Sequence, residues 1–337
     1  MSVDIDERIF EFDCVDRSSV GIVSLPQGKL PAVGVLVLAG GPQYRVGAHR
    51  QFVSLARHLA SQGLAAMRFD VRGTGDCVGE HPGFDRLDDD IRCAIDAFAR
   101  EVPTVRRLVL WGLCDGASAA CLYAPRDQRV SGIVLLNPWV QNTSGDNGAD
   151  EPLKSYYLRR LFTTWFWRKL LSGRMDIVRT GRRLVSKVAR RFKPLYEPAM
   201  STPTPARSAP GESRAPAPTM SSLMASNLLR SGIPFYLALS QDDLVARQFE
   251  YGALPTPEWA AVLHLQALEV AHLAGADHTL STPGAKREME ALSARWAQEI
   301  GKGRHRRTLL LKVPKLKSRL LYARLFGVVV GLIALDM

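Results

Sequence analysis

The sequence predicts an α/β domain built on a mostly parallel central sheet with helices on both faces. Short, near-continuous apolar runs recur at 32–40, 64–71, 107–114, 131–139, 234–240 and 268–275, the pattern of strands buried on both faces. Amphipathic stretches such as HRQFVSLARHLASQG and RLDDDIRCAIDAFAREV separate successive runs. Strand, helix and strand in repetition build a parallel sheet covered on both sides. Ahead of this pattern, ERIFEFDC and SSVGIVSLP alternate apolar and polar residues around VDRS, which predicts a half-buried hairpin as the antiparallel edge.

The rhythm breaks once, between the run ending near Trp139 and the one beginning near Pro234. LKSYYLRRLFTTWFWRKLLSG has helical periodicity and is rich in aromatic residues, including Tyr156, Trp165 and Trp167. It predicts a helical lid inserted over the carboxyl edge of the sheet. MSTPTPARSAPGESRAPAPTMSS, over 200–222, has almost no large apolar residue and predicts a flexible tether. The expected organisation is a core of residues 1–139 and 231–300, a lid at 140–199, a mostly flexible tether at 200–230 and a tail at 301–337.

The net charge of +11 is concentrated. Residues 154–193 hold thirteen Lys/Arg against one Asp, and residues 302–324 hold nine with no acid, so the remainder is acidic. Two basic segments on an acidic body point to local anionic surfaces or ligands, not to nucleic-acid binding by the whole chain. The tail runs from GKGRHRRTLLLKVPKLKSR into an apolar end whose longest run, Leu325–Leu335, is too short to span a bilayer. Peripheral contact of residues 302–337 with an anionic membrane surface is one reading. A disordered tail, or one docked on the protein, is the other.

The five cysteines, Cys14, Cys77, Cys93, Cys114 and Cys121, are scattered and odd in number, which argues for a reducing compartment and against a disulfide framework. MSVDIDERIF lacks the pattern of a signal peptide. The expectation is a cytoplasmic protein, with the inner membrane surface as its place if the tail binds lipid.

GLCDG, at the end of the apolar run RLVLWGLC and the start of DGASAACLY, fits G-x-nucleophile-x-G at a strand-to-helix turn. Such a turn is so tight that its flanking residues must be small, which explains Gly112 and Gly116 and projects Cys114 from the strand end. A thiol needs an imidazole or a helix N-terminus to become a thiolate at neutral pH. His278 stands in a short loop between the last apolar run and a long amphipathic helix, where that imidazole is expected. His272, inside the run, reads as structural, and His49, His58, His81, His264 and His305 as surface residues.

An acid must orient the imidazole. PFYLALSQDDLVARQF ends a strand with Asp242 and Asp243, either of which could simply cap the following helix. Asp243 is the favoured acid and Asp242 the alternative. The backbone N–H of Asp115 is one expected oxyanion donor, and the loop GGPQYRVGAHR supplies the other, Gln43 first and Gly41 second, because Pro42 has no N–H. Gly73, Gly75 and Gly79 in RFDVRGTGDCVGE have the wrong spacing for a dinucleotide loop. With no P-loop, HExxH or zinc spacing either, no cofactor and no metal are expected.

The order Cys114, Asp243, His278 is the nucleophile, acid, histidine order of α/β-hydrolases. Over roughly 7–139 and 232–300 the chain resembles that superfamily. GGPQYRVGAHRQFVSLARHLASQGLAAMRFDVRGTGD, LWGLCDGASAA, NPWVQ and GADHTLS together resemble, more narrowly, the exosortase A system-associated hydrolases of type 1, bacterial proteins encoded with exopolysaccharide and protein-sorting loci. A cysteine at the elbow is also similar to dienelactone hydrolase. The resemblance implies an α/β-hydrolase fold and cleavage or transfer of an acyl group on a small-molecule ester or thioester, without naming a substrate. Asp115 keeps a second reading open, a binding or scaffold protein on this fold, because its negative charge opposes a thiolate next door.

Overall fold

A computed structural model describes residues 5–28, 31–41, 43–140, 218–265 and 270–303. Residues 141–199 of the expected lid, almost all of the proline-rich part of the tether and almost all of the tail lie outside the described residues.

The elements in chain order are β1 (Ile5–Cys14), β2 (Arg17–Pro26), β3 (Val33–Leu38), α1 (Gln51–Ser61), β4 (Ala65–Phe69), α2 (Asp88–Glu101), β5 (Arg107–Leu113), α3 (Asp115–Tyr123) and β6 (Val130–Leu136). Then come α4 (Met220–Ser231), β7 (Phe235–Ser240), α5 (Leu244–Gln248), α6 (Pro257–Leu265), β8 (Ala271–Leu273) and α7 (Pro283–Gly301). Eight strands form one sheet in the order β1-β2-β4-β3-β5-β6-β7-β8. β1 pairs with β2, and β2 with β4, antiparallel; every pairing from β4 to β8 is parallel.

β3, β4 and β7 are buried along their whole length, which is why their sequences are near-continuous apolar runs without alternation, broken only by Arg68 and Ser240. One face of the sheet packs Phe52, Leu55 and Leu59 of α1 and Met289, Trp296 and Ile300 of α7. The other packs Ile91, Ile95 and Phe98 of α2, Ala117 and Ala120 of α3, and Met224 and Leu228 of α4. Trp111 of β5 is buried edge-on to Phe52 and donates its indole N–H to Ser293 Oγ at 2.9 Å, tying the central strand to α7. The buried indole has its one donor satisfied.

Two elements depart from the sequence pattern. Residues 220–230, placed in the tether by composition, are helical. Thr219 accepts the N–H of Ser222 as an N-cap, and Met224, Ala225 and Leu228 fall on one buried face. Only the proline-rich part preceding them lacks the apolar spacing to do this. At the far edge, the described part of the run 268–275 contains the three-residue β8, whose His272 is partly exposed and bonded to Glu250 at 2.9 Å.

The loop after β4 is held by a buried charge. Asp70 accepts the backbone N–H groups of Arg45, at 2.7 Å, and Asp76, at 3.0 Å, and pairs with the Arg45 guanidinium, which also reaches Asp76. A Cβ on Gly75 would strike the Asp70 carboxylate. Gly75 therefore serves close packing on Asp70, and Arg45 fastens the β3 loop to the same anchor.

Candidate active site

The parallel strands point their carboxyl ends at one edge of the sheet, where β5, β7 and β8 deliver the three side chains singled out in the sequence. Cys114 follows β5 and precedes α3 with φ 58° and ψ −126°, a conformation rarely adopted by a non-glycine residue. The surroundings fix it there. Its N–H donates to Leu136 O at 2.9 Å, and its C=O accepts from Ala117 at 3.0 Å and Trp139 at 3.2 Å. A Cβ on Gly112 would lie 2.5 Å from the Ala117 backbone, and one on Gly116 2.5 Å from Leu38 O. Both glycines are thus required by backbone contacts, and the nucleophile elbow expected from GLCDG is present as local geometry.

Asp243 stands at the end of β7 and is buried. Its carboxylate caps α5, accepting from Val245 N–H and Ala246 N–H at 3.2 Å each, and the same group receives His278 Nδ1 at 2.8 Å. Capping and orienting are therefore done by one residue. Asp242 is exposed, and its backbone N–H donates to Ala276 O at 2.9 Å, clasping the β7 loop to the loop that carries His278. That loop is closed by Asp277, whose carboxylate accepts the N–H groups of Thr279 and Ser281.

The imidazole of His278 is bonded to Asp243 through Nδ1 at 2.8 Å. Burial works against its protonated form, but the Asp243 carboxylate and the nearby Cys114 sulfur outweigh it and push the imidazole up to about 10. Cys77 and Cys121 are buried, and burial pushes both thiols up.

The β3 loop reaches the elbow through Gly40 and Gly41. A Cβ on Gly40 would come within 2.1 Å of Leu113 O and 2.9 Å of Cys114 Cβ, so this backbone lies directly against the nucleophile turn. Gly41 N–H donates to Asp115 Oδ1 at 2.5 Å. Gln43 uses its side-chain carbonyl to accept from Ala48 N–H, at 3.0 Å, and Gln51 Nε2, at 3.2 Å, which braces the loop. Gly41 is thus the loop amide that contacts the elbow residues. One partner escaped sequence reasoning: the Asp115 carboxyl on Gly41. It has no sequence signal, since it depends on the paths of two loops. Among the described residues no three His, Cys, Asp or Glu side chains group as a metal site requires, and no helix is long and apolar enough to cross a membrane.

Sheet order, elbow and the positions of the three side chains define an α/β-hydrolase fold. Residues 34–201 match the family model described as serine aminopeptidase, S33. That description names a serine enzyme, whereas this chain carries Cys114 at the elbow. Solved structures agree on the fold. An esterase of Pyrococcus furiosus is 12% identical with a TM-score of 0.54, covering 88% of this chain and 91% of its own. A dienelactone hydrolase of Anabaena variabilis is 14% identical with a TM-score of 0.53, covering 88% and 98%. A proline iminopeptidase of Mycobacterium smegmatis is 14% identical with a TM-score of 0.54, covering 88% and 99%. No curated protein matches the sequence.

Proposed function

We propose that the protein hydrolyses an ester or thioester through a Cys114 acyl-enzyme, with His278 as proton carrier and Asp243 as its orienting acid. The observation that carries this reading is the His278–Asp243 pair, 2.8 Å apart, at the same sheet edge as the Cys114 elbow.

With Nδ1 of His278 committed to Asp243, Nε2 handles the proton. The Cys114 thiolate adds to the carbonyl carbon, and the carbonyl π pair moves onto oxygen. Collapse of this intermediate expels the alkoxide or thiolate, which takes the proton from His278 and leaves an S-acyl cysteine. Water then gives a proton to the now neutral His278 and adds to the thioester. The second collapse releases the carboxylic acid and restores thiolate and imidazolium. The amide of Asp115 and an amide of the 41–43 loop receive the oxyanion in both halves, Gly41 being the one against the elbow.

An S-acyl enzyme passes its acyl group to amines and thiols as well as to water, so acyl transfer belongs to the same proposal. The resemblance to exosortase-associated hydrolases supports a role in exopolysaccharide- or exosortase-associated metabolism and brings no substrate with it. The test is turnover of a panel of p-nitrophenyl esters and acyl thioesters by the wild type and Cys114→Ala. Loss of roughly 10³-fold or more in kcat is expected, the scale seen when a nucleophile is removed from such a triad. Equal turnover by the two proteins on every substrate accepted would overturn the assignment.

A further inference from the structure

Asp115 is the first residue of α3 and directly follows Cys114, so its side chain emerges where substrate carbonyl oxygens must be received. Its carboxyl group is part-buried, and Oδ1 takes the Gly41 N–H at 2.5 Å. That amide is one of the two assigned above to the oxyanion. A carboxylate seated on it stands in for the oxyanion, with the same atom type and one of the same donors.

We propose that the Asp115 carboxylate is an internal occupant of the oxyanion hole, which a reacting acyl group must displace from the Gly41 amide before Cys114 can be acylated. This inference rests on the reading of Cys114 as nucleophile. Burial pushes the Asp115 carboxyl above the usual carboxylate range, and the Gly41 N–H only partly offsets it. Its hold on the hole is therefore incomplete. A transition-state oxyanion bonded to Cys114 is better placed to take the same donor. The contact also explains how an acid can follow a catalytic cysteine: its charge is drawn onto the Gly41 N–H instead of facing the sulfur alone.

The experiment compares two reactions at Cys114. Iodoacetamide alkylation needs a thiolate but no oxyanion hole, whereas burst acylation by a p-nitrophenyl ester needs both. Asp115→Ala frees the Gly41 amide. Asp115→Asn removes the charge but keeps an acceptor oxygen over it. The expected result is similar acceleration of alkylation in both variants, with acylation accelerated about tenfold beyond that in Asp115→Ala alone. Equal acceleration of both reactions in both variants, or slower acylation by a folded Asp115→Ala, overturns the proposal.

A second measurement uses the wild type. A trifluoromethyl ketone adds to the Cys114 thiolate as a hemithioketal oxyanion; in the crystal structure of that adduct its oxygen should lie on Gly41 N–H with Asp115 Oδ1 moved away. An intact Gly41–Asp115 hydrogen bond in the adduct overturns the inference. Failure of the underlying reading looks different: the wild type would not be acylated at Cys114 at all, or would be alkylated at the same rate after His278→Ala.

Discussion

One carboxylate, that of Asp243, both caps the amino end of α5 and holds His278 Nδ1 at 2.8 Å, so the imidazole is oriented by a group that the fold itself fixes. Asn at position 243 can still accept the helix N–H groups but presents an amide to the ring and favours the wrong tautomer. Asp243→Asn is therefore expected to fold normally and to lose about 10²- to 10⁴-fold in kcat. Steady-state kinetics and a thermal melt, run on the same preparation, check both halves.

The raised His278 value gives a pH signature. Iodoacetamide labelling of Cys114 at pH 7 is expected to slow in His278→Ala, because the protonated imidazole beside the sulfur is lost. The stability contribution has a definite sign. The folded value, about 10, exceeds the unfolded value of ~6.5, so stabilisation by protonated His278 is complete below pH ~6.5 and is lost as pH rises through about 10. The Tm gap between wild type and His278→Ala should narrow over that interval.

Gly116 tests the elbow. Its added Cβ would meet Leu38 O at 2.5 Å and Ala39 O at 2.8 Å, both backbone atoms that cannot rotate aside. Gly116→Ala should destabilise by about 1–3 kcal/mol, the usual cost of overpacking, and lower kcat by moving Cys114 relative to His278. Urea denaturation and turnover read the two effects.

Away from the site, Glu7 of β1 holds Arg57 of α1, Arg68 of β4 and Ser24 of β2. Burial works against its carboxylate, but hydrogen bonds from Arg57, Ser24 and Arg68 win and hold it at about 2. Glu7→Gln leaves the buried Arg68 guanidinium without its counter-charge and should cost about 1–3 kcal/mol at pH 7. Because the folded value lies below the unfolded ~4.3, this contribution is complete above pH ~4.3 and is lost as pH falls toward about 2. Chemical denaturation of both proteins at pH 7 and pH 3 measures it.

The strands were legible because burial on both faces demands continuous apolar runs, and the elbow because two glycines and a cysteine at a strand end satisfy a steric rule. Asp243 and His278 followed from their places after β7 and β8. The contact between Gly41 and Asp115 was not legible, since the paths of two loops decide it and the sequence puts Gln43 ahead of Gly41. The brace of Arg45 on Asp70 is hidden for the same reason, its partners lying on separate loops. α4 was missed because proline and serine dominate the stretch before it, although Thr219 followed by the spacing of Met224, Ala225 and Leu228 carries a capped helix signal.

The most direct test of the central claim is the intact mass of the wild-type protein quenched in acid during turnover of a slow acyl ester, followed by peptide mapping. The account predicts one acyl group per chain, attached to Cys114 as a thioester that hydroxylamine removes, and none in Cys114→Ala. Turnover with no adduct on Cys114, or an adduct formed equally well in Cys114→Ala, would contradict it.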